Sequence, residues 1–208
     1  YPVNHVIETA TRADIGTIIV RQEWVGLHKS AEISRPSSDK KLGLFAMQHG
    51  PGAENAFGGV AQAFGESVPI LVLPMGYSRR QAHVAPNFNS VLNMQHITKS
   101  AEPITLAGEI PNIMRRAFTR LRNGRGGPVL VEIPSDIFAE EVGDFDYAPA
   151  IATRSGPDPA DVAKVAEVLV DAKRPVIYAG QGVHYARAWP QLKRRAELLG
   201  AGVTTRLQ

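Results

Sequence analysis

Leu42-Gly43-Leu44-Phe45-Ala46-Met47-Gln48-His49-Gly50-Pro51-Gly52-Ala53-Glu54-Asn55 is the stretch on which the fold turns. Leu42–Met47 is apolar and reads as a strand. Gly50-Pro51-Gly52 is a turn signal. A helix is expected over Ala53–Phe64, where Ala56, Gly58, Gly59 and Ala61 are small enough to let a sheet approach. Upstream, Val3, Ile7, Ala10 and Ala13 at helical spacing predict a helix over 3–13. Thr17–Val20 is β-branched and apolar, which predicts a buried strand ending near Glu23. Val25, Leu27 and Ala31 predict a helix over Glu23–Arg35, ended by Pro36-Ser37-Ser38-Asp39.

Downstream, Val68–Leu73 reads as a third strand and residues 74–97 as irregular. A helix over Ile110–Leu121 follows, starting near Glu109-Ile110-Pro111. Asn123-Gly124-Arg125-Gly126-Gly127 is a turn, and Val129–Ile133 a fourth strand. Strands alternating with helices predict an α/β fold: an open, mostly parallel sheet with helices on both faces. Composition shifts over 143–158, where Gly143-Asp144-Phe145-Asp146-Tyr147-Ala148-Pro149 and Ser155-Gly156-Pro157-Asp158-Pro159 read as an interdomain linker. A partial second α/β unit follows: helix 159–171, strand Pro175–Ala179, loop Gly180-Gln181-Gly182, helix 185–199 and a short strand near Val203. The expected division is a domain over 1–150, a linker over 151–158 and the truncated start of a second domain over 159–208.

The 208 residues are 44% apolar, enough for a sizeable core, and carry a formal charge of +3. Arg115, Arg116, Arg120, Arg122 and Arg125 form the densest basic cluster. Their helical spacing reads as a solvated face rather than a nucleic-acid patch, which would interleave aromatics. There is no cysteine, which excludes disulfides, thiolate catalysis and Cys-based zinc sites and fits a reducing, cytoplasmic setting. No apolar run is long enough to span a membrane and no signal peptide is visible. The chain opens on Tyr1-Pro2-Val3-Asn4 and stops on Thr205-Arg206-Leu207-Gln208 without tails, and is expected to be a piece of a longer one.

Glu23 stands where the predicted strand passes into a helix. Buried there, a carboxyl would have a raised pKa and could trade a proton with a ligand nitrogen. It could equally be a first-turn acid that favours the helix dipole. Gly50-Pro51-Gly52 before a helix offers free N–H groups to a ligand, or is simply a tight turn; no Walker sequence follows. Gly180-Gln181-Gly182 is half of a dinucleotide fingerprint without its third glycine. The six histidines show no metal spacing, and neither His-Glu-x-x-His nor Gly-x-Ser-x-Gly occurs. His28 reads as packed; His49, beside the glycine turn, is the best placed for a substrate. Lys99 and Arg79-Arg80 are expected to be solvated or to meet an anionic substrate.

Five segments occur in order: Val20-Arg21-Gln22-Glu23, Gln48–Ala56, Val68–Leu73, Ile97-Thr98-Lys99 and Gly127-Pro128-Val129-Leu130-Val131-Glu132-Ile133-Pro134. Together they resemble the acetolactate-synthase-like thiamine diphosphate (ThDP) enzymes, which include acetolactate synthase, pyruvate oxidase, benzoylformate decarboxylase and glyoxylate carboligase. The resemblance covers 1–150 as the pyrimidine-binding (Pyr) domain and 159–208 as the opening of the central domain. It implies that Glu23 hydrogen-bonds N1′ of the cofactor's aminopyrimidine, with Gly50, Gly52 and Asn55 shaping that side of the site and His49 and Gly76 facing the substrate. It implies ThDP with Mg²⁺, FAD in some relatives, and decarboxylation or carboligation of a small 2-oxo acid by a transferase or lyase. It further implies a homodimer or homotetramer formed through the Pyr domain, with neither nucleic acid nor membrane as partner.

The family holds diphosphate and Mg²⁺ with a Gly-Asp-Gly … Asn motif in a C-terminal domain. Gly143-Asp144-Phe145 is no such motif, so these 208 residues are expected to be inactive alone. The family's Gly-x-Pro-Gly loop before the first helix is missing. Its Thr-Gly-Gln reads Pro74-Met75-Gly76 here, and its Ala-Asp-Gly-Tyr-Ala-Arg reads Ser30-Ala31-Glu32-Ile33-Ser34-Arg35, which leaves the substrate open. Two other classes stay open: a nucleotide- or FAD-binding module using Gly180-Gln181-Gly182, and a non-catalytic interaction protein with a Pyr-like fold.

Overall fold

The computed structural model describes residues 3–37 and 41–205. They form two compact units, Tyr1–Thr153 and Arg154–Gln208. In the first, helices α1 (Val3–Arg12) and α2 (Glu23–Ser37) precede strand β1 (Gly43–Met47). Helix α3 (Pro51–Gly65), strand β2 (Ile70–Gly76), helix α4 (Ser90–Met94), strand β3 (Ser100–Pro103), helix α5 (Ile110–Arg122) and strand β4 (Val129–Pro134) follow. The strands form one parallel sheet in the order β1-β2-β4-β3.

The central strands are apolar throughout because both faces are covered. Alternate side chains go to opposite layers. Ile70, Val72 and Leu130 pack with Leu27, Ala53, Ala56 and Val60 of α2 and α3. Leu71, Leu73, Val129 and Val131 pack with Ile113, Ala117 and Leu121 of α5. The expected helices on both faces are therefore present. Close approach is built in on the first layer. A Cβ on Gly43 would lie 2.0 Å from the Ser30 carbonyl oxygen, and one on Gly59 would lie 2.8 Å from Leu27 Cβ. The serines of α2 then bind the strand backbone. Gly43 N–H donates to Ser34 Oγ at 2.8 Å, and Ser30 Oγ donates to the Leu44 carbonyl at 3.0 Å.

Thr17–Val20 is not a strand. Among the described residues it has no regular secondary structure and no partner strand, and Ile19 is 85% exposed. A β-branched run fits a pleated surface only where a neighbouring strand supplies one, and β1, at the edge of the sheet, pairs with β2 alone. Conversely, β3 falls where no strand was expected: Ser100-Ala101-Glu102-Pro103 carries little β signal and is made a strand by its register on β4. Residues 74–97 are also more ordered than expected. β2 runs on to Gly76, and Asn89 caps α4 by accepting the Leu92 N–H at 2.8 Å. The helix before β1 continues to Ser37, past its expected end at Arg35; the rest of the expected turn, Ser38 and Asp39, lies outside the described residues.

The second unit contains helix α6 (Pro159–Val170), strand β5 (Val176–Ala179), helices α7 (Gln181–Tyr185) and α8 (Trp189–Leu199) and strand β6 (Gly202–Thr205). β5 and β6 pair in parallel. The expected loop Gly180-Gln181-Gly182 runs into a helix, α7, and the helix expected over 185–199 starts only at Trp189. Arg187, between them, takes a positive φ of 52°, and Pro190, which has no N–H, sits in the first turn of α8.

Candidate functional site

The site is built on the carboxyl ends of β1 and β2. β1 ends at Met47, and the chain turns at Gly50, whose φ is +63°. A Cβ there would stand 2.8 Å from the Tyr77 hydroxyl, so conformation and space both select glycine. Pro51 opens α3 at its first turn, where its missing N–H costs nothing.

Glu23 is the first residue of α2 and is half-buried. Its Oε2 accepts a hydrogen bond from Asn55 Nδ2 at 2.9 Å. Its Oε1 faces Gly52, where a Cβ would lie 3.4 Å away. Glu23, Gly52 and Asn55, far apart in sequence, thus meet at the start of two adjacent helices. The setting is wetter than a strand end would make it, because the run before Glu23 is exposed. Glu23 is a first-turn acid of α2, and its carboxylate is shared with this cluster. His49 lies against Tyr77 edge-on, with ring centroids 4.5 Å apart, and its Nδ1 is buried without a hydrogen-bond partner.

Gly76 stands directly before Tyr77. It ends β2, and a Cβ on it would meet Glu132 Cγ at 2.9 Å. The residue that reaches back to the Gly50 turn is Tyr77, which sequence reasoning missed; an aromatic directly after a buried strand was its only signal. Glu132 was missed as a site residue too. It is 4% exposed and sits in β4, an apolar strand in which a lone acid is itself the signal. Burial pushes its carboxyl pKa up, partly offset by hydrogen bonds from the Ser90 hydroxyl and N–H and by nearby His83.

Of the cations expected to be solvated, Arg80 is exposed, while Arg79 and Lys99 are engaged. Arg79 pairs with Asp136 at 2.8 Å and with Glu140, and donates to the Thr105 carbonyl. These carboxylates raise its pKa. Lys99 donates to the carbonyls of Arg120 and Asn123 at the end of α5, and desolvation lowers its pKa. The arginine cluster is a solvated face, as expected, with Arg116, Arg120, Arg122 and Arg125 exposed, though several of them also have partners. Arg116 pairs with Glu102, Arg122 donates to the Ala150 carbonyl, and Arg125 donates to Ser67 Oγ. In the second unit, a Cβ on Gly180 or Gly182 would meet nothing within 4 Å, so no close approach there calls for glycine.

Residues 2–101 match the family described as thiamine pyrophosphate enzyme, N-terminal TPP binding domain, and residues 162–208 match the thiamine pyrophosphate enzyme central domain. Acetolactate synthase isozyme 3 large subunit of Escherichia coli (strain K12) is 28% identical over 95% of this chain and 35% of its own length. Glyoxylate carboligase of Escherichia coli O157:H7 is 31% identical over 89% of this chain and 32% of its own. The fold is shared with the crystal structure of benzoylformate decarboxylase from Polynucleobacter necessarius, at a TM-score of 0.79 and 24% identity, over 92% of this chain and 37% of that one. The chain spans about a third of the length of these relatives. The two matching domains stand in the family's sequence order over most of the chain: the chain belongs to the thiamine pyrophosphate enzymes.

Proposed function

We propose that this chain supplies the aminopyrimidine side of a ThDP site, in a protein that decarboxylates or carboligates a 2-oxo acid. The observation that carries the reading is the geometry of Glu23. One carboxylate oxygen is held by Asn55, and the other faces the Cβ-less Gly52. A carboxylate oriented in this way can share a proton with a ring nitrogen, and the missing Cβ leaves room for a flat ring to approach. The residues present therefore fit the group. Glu23 would hold and protonate its N1′, Asn55 would fix the carboxylate, and Gly50 and Gly52 would shape the wall. His49, with its free Nδ1, would face the substrate beside Tyr77. When bound, the cofactor supplies the carbanion stabilisation that loss of CO₂ from a 2-oxo acid requires.

The same reading takes 1–150 as the Pyr domain, 151–158 as linker and 159–208 as the start of the central domain. It places the diphosphate and Mg²⁺ contacts on parts of the protein beyond these 208 residues. It also makes the protein a cytoplasmic homodimer or homotetramer joined through the Pyr domain. Glu23→Gln in the full-length protein tests it. CO₂ release from pyruvate and glyoxylate, with ThDP and Mg²⁺ present, is expected to fall at least ~100-fold, the scale of a lost proton-transfer group. Undiminished turnover would remove Glu23 from the mechanism. Calorimetric titration of the 208-residue chain with ThDP and Mg²⁺ is expected to show weak binding; tight binding would place the diphosphate contacts within it.

A further inference from the structure

A second recess opens at the carboxyl ends of β3 and β4, on the far side of Gly76 from Glu23. It is a cavity of about 240 Å³. Val91, Leu92, Pro103 and Ile104 form apolar walls, and Glu132 and His83 stand among them. At this size it is smaller than the usual pocket for a drug-sized ligand.

The charges around it are unbalanced. Glu132 is almost wholly buried. Its partners are the Ser90 hydroxyl and N–H and, electrostatically, His83, which together offset only part of the effect of burial. The one lysine or arginine in the lining is Arg79. That guanidinium is already shared by Asp136 and Glu140, so its neighbourhood carries one more negative charge than positive before Glu132 is counted. Asn89 is engaged as well, capping α4 with its oxygen and turning its amide towards the Ala82 carbonyl and His83. A buried carboxylate whose desolvation is only partly offset is unfavourable, and a cationic ligand would remove that cost. An anion would meet the buried Glu132 in the lining and an Arg79 already taken by two carboxylates, so the recess is unsuited to the carboxylate of a 2-oxo acid.

We propose that this recess is a binding site for a small alkylammonium, with its charged head on Glu132 and its hydrocarbon body between Leu92, Val91 and Ile104. The site is independent of the proposed cofactor role of Glu23. Leu92, 54% exposed, forms part of the wall and can be altered without entering the core.

Calorimetric titration of the 208-residue chain with isopentylammonium, against isopentanol and isovalerate as neutral and anionic counterparts, tests the proposal. Saturable binding of the ammonium is expected, at least tenfold tighter than either counterpart. Glu132→Gln keeps an acceptor for Ser90 and should weaken binding at least tenfold. Leu92→Trp should do the same by filling the recess, and it decides the matter if the Glu132 variant fails to fold. Glu23→Gln should leave the affinity unchanged. No binding of the ammonium, equal binding of isovalerate, or indifference to Leu92→Trp would each overturn the proposal.

Discussion

The two units use the same βα vocabulary and differ in how much they bury. In Tyr1–Thr153, four parallel strands are covered by helices on both faces, and Ile70, Val72, Val129 and Leu130 are fully buried. In Arg154–Gln208, two strands pair, and Ala179 is the one buried residue among those described. Its helices are apolar enough: Val162, Val165, Val168, Val170 and Leu198 are all there, but all are exposed. Forming secondary structure and forming a core are thus separate achievements. A parallel strand is stable when both of its faces are covered. Short helices draw most of their stability from packing.

Hydrogen exchange should separate the units most sharply. Amides of β2 and β4 are expected to be protected at least ~1000-fold more than those of β5 and β6, because exchange from a core strand needs global opening and exchange from a thin one does not. Equal protection would mean that the second unit is as cooperative as the first. Next in size is a paired truncation. Leu130→Ala should cost about 2–5 kcal/mol in urea unfolding, while Leu198→Ala, at a position 83% exposed, should stay within about 0.5 kcal/mol. A large effect at Leu198 would show its face to be covered.

The smallest effect concerns acid. Glu132 lies in the first unit, whereas every carboxylate described in the second is exposed. Burial raises the folded-state pKa of Glu132 above its unfolded value. The folded protein therefore keeps that proton longer. The stability associated with it is complete below the unfolded pKa and declines as pH rises through the folded one. Tm measured against pH should show Glu132→Gln gaining on the wild type towards alkaline pH, and parallel curves would mean that the burial is relieved in solution.

Much of this organisation was legible in the chain. Leu42–Asn55 announces strand, turn and helix by apolar run, Gly-Pro-Gly and small residues, each a local signal. Glu23 and the Gly50-Pro51-Gly52 turn could be grouped by their places at helix starts, and Asn55 through the family resemblance. Other features depend on partners distant in sequence. β3 has four residues and almost no β signal, and exists because β4 offers it a ladder. Thr17–Val20 has the strand signal and no ladder. Lys99 and Arg79 looked like surface cations until the carbonyls ending α5 and the Asp136–Glu140 pair came into reach. Tyr77 and Glu132 needed the order β1-β2-β4-β3 before either could be set beside Gly50 or Gly76.

The sequence by itself determined the α/β class, the positions of most strands and helices, the absence of cysteine chemistry and the family resemblance. These rest on short-range patterns of polarity, glycine and proline. Only the tertiary structure decided which apolar runs found a neighbour. It decided, too, that one oxygen of Glu23 goes to Asn55 while the other faces Gly52, and that Glu132 lies buried with its desolvation only partly offset. Those outcomes depend on which strands lie side by side, and strand adjacency is a property of the folded sheet that no local window of residues contains.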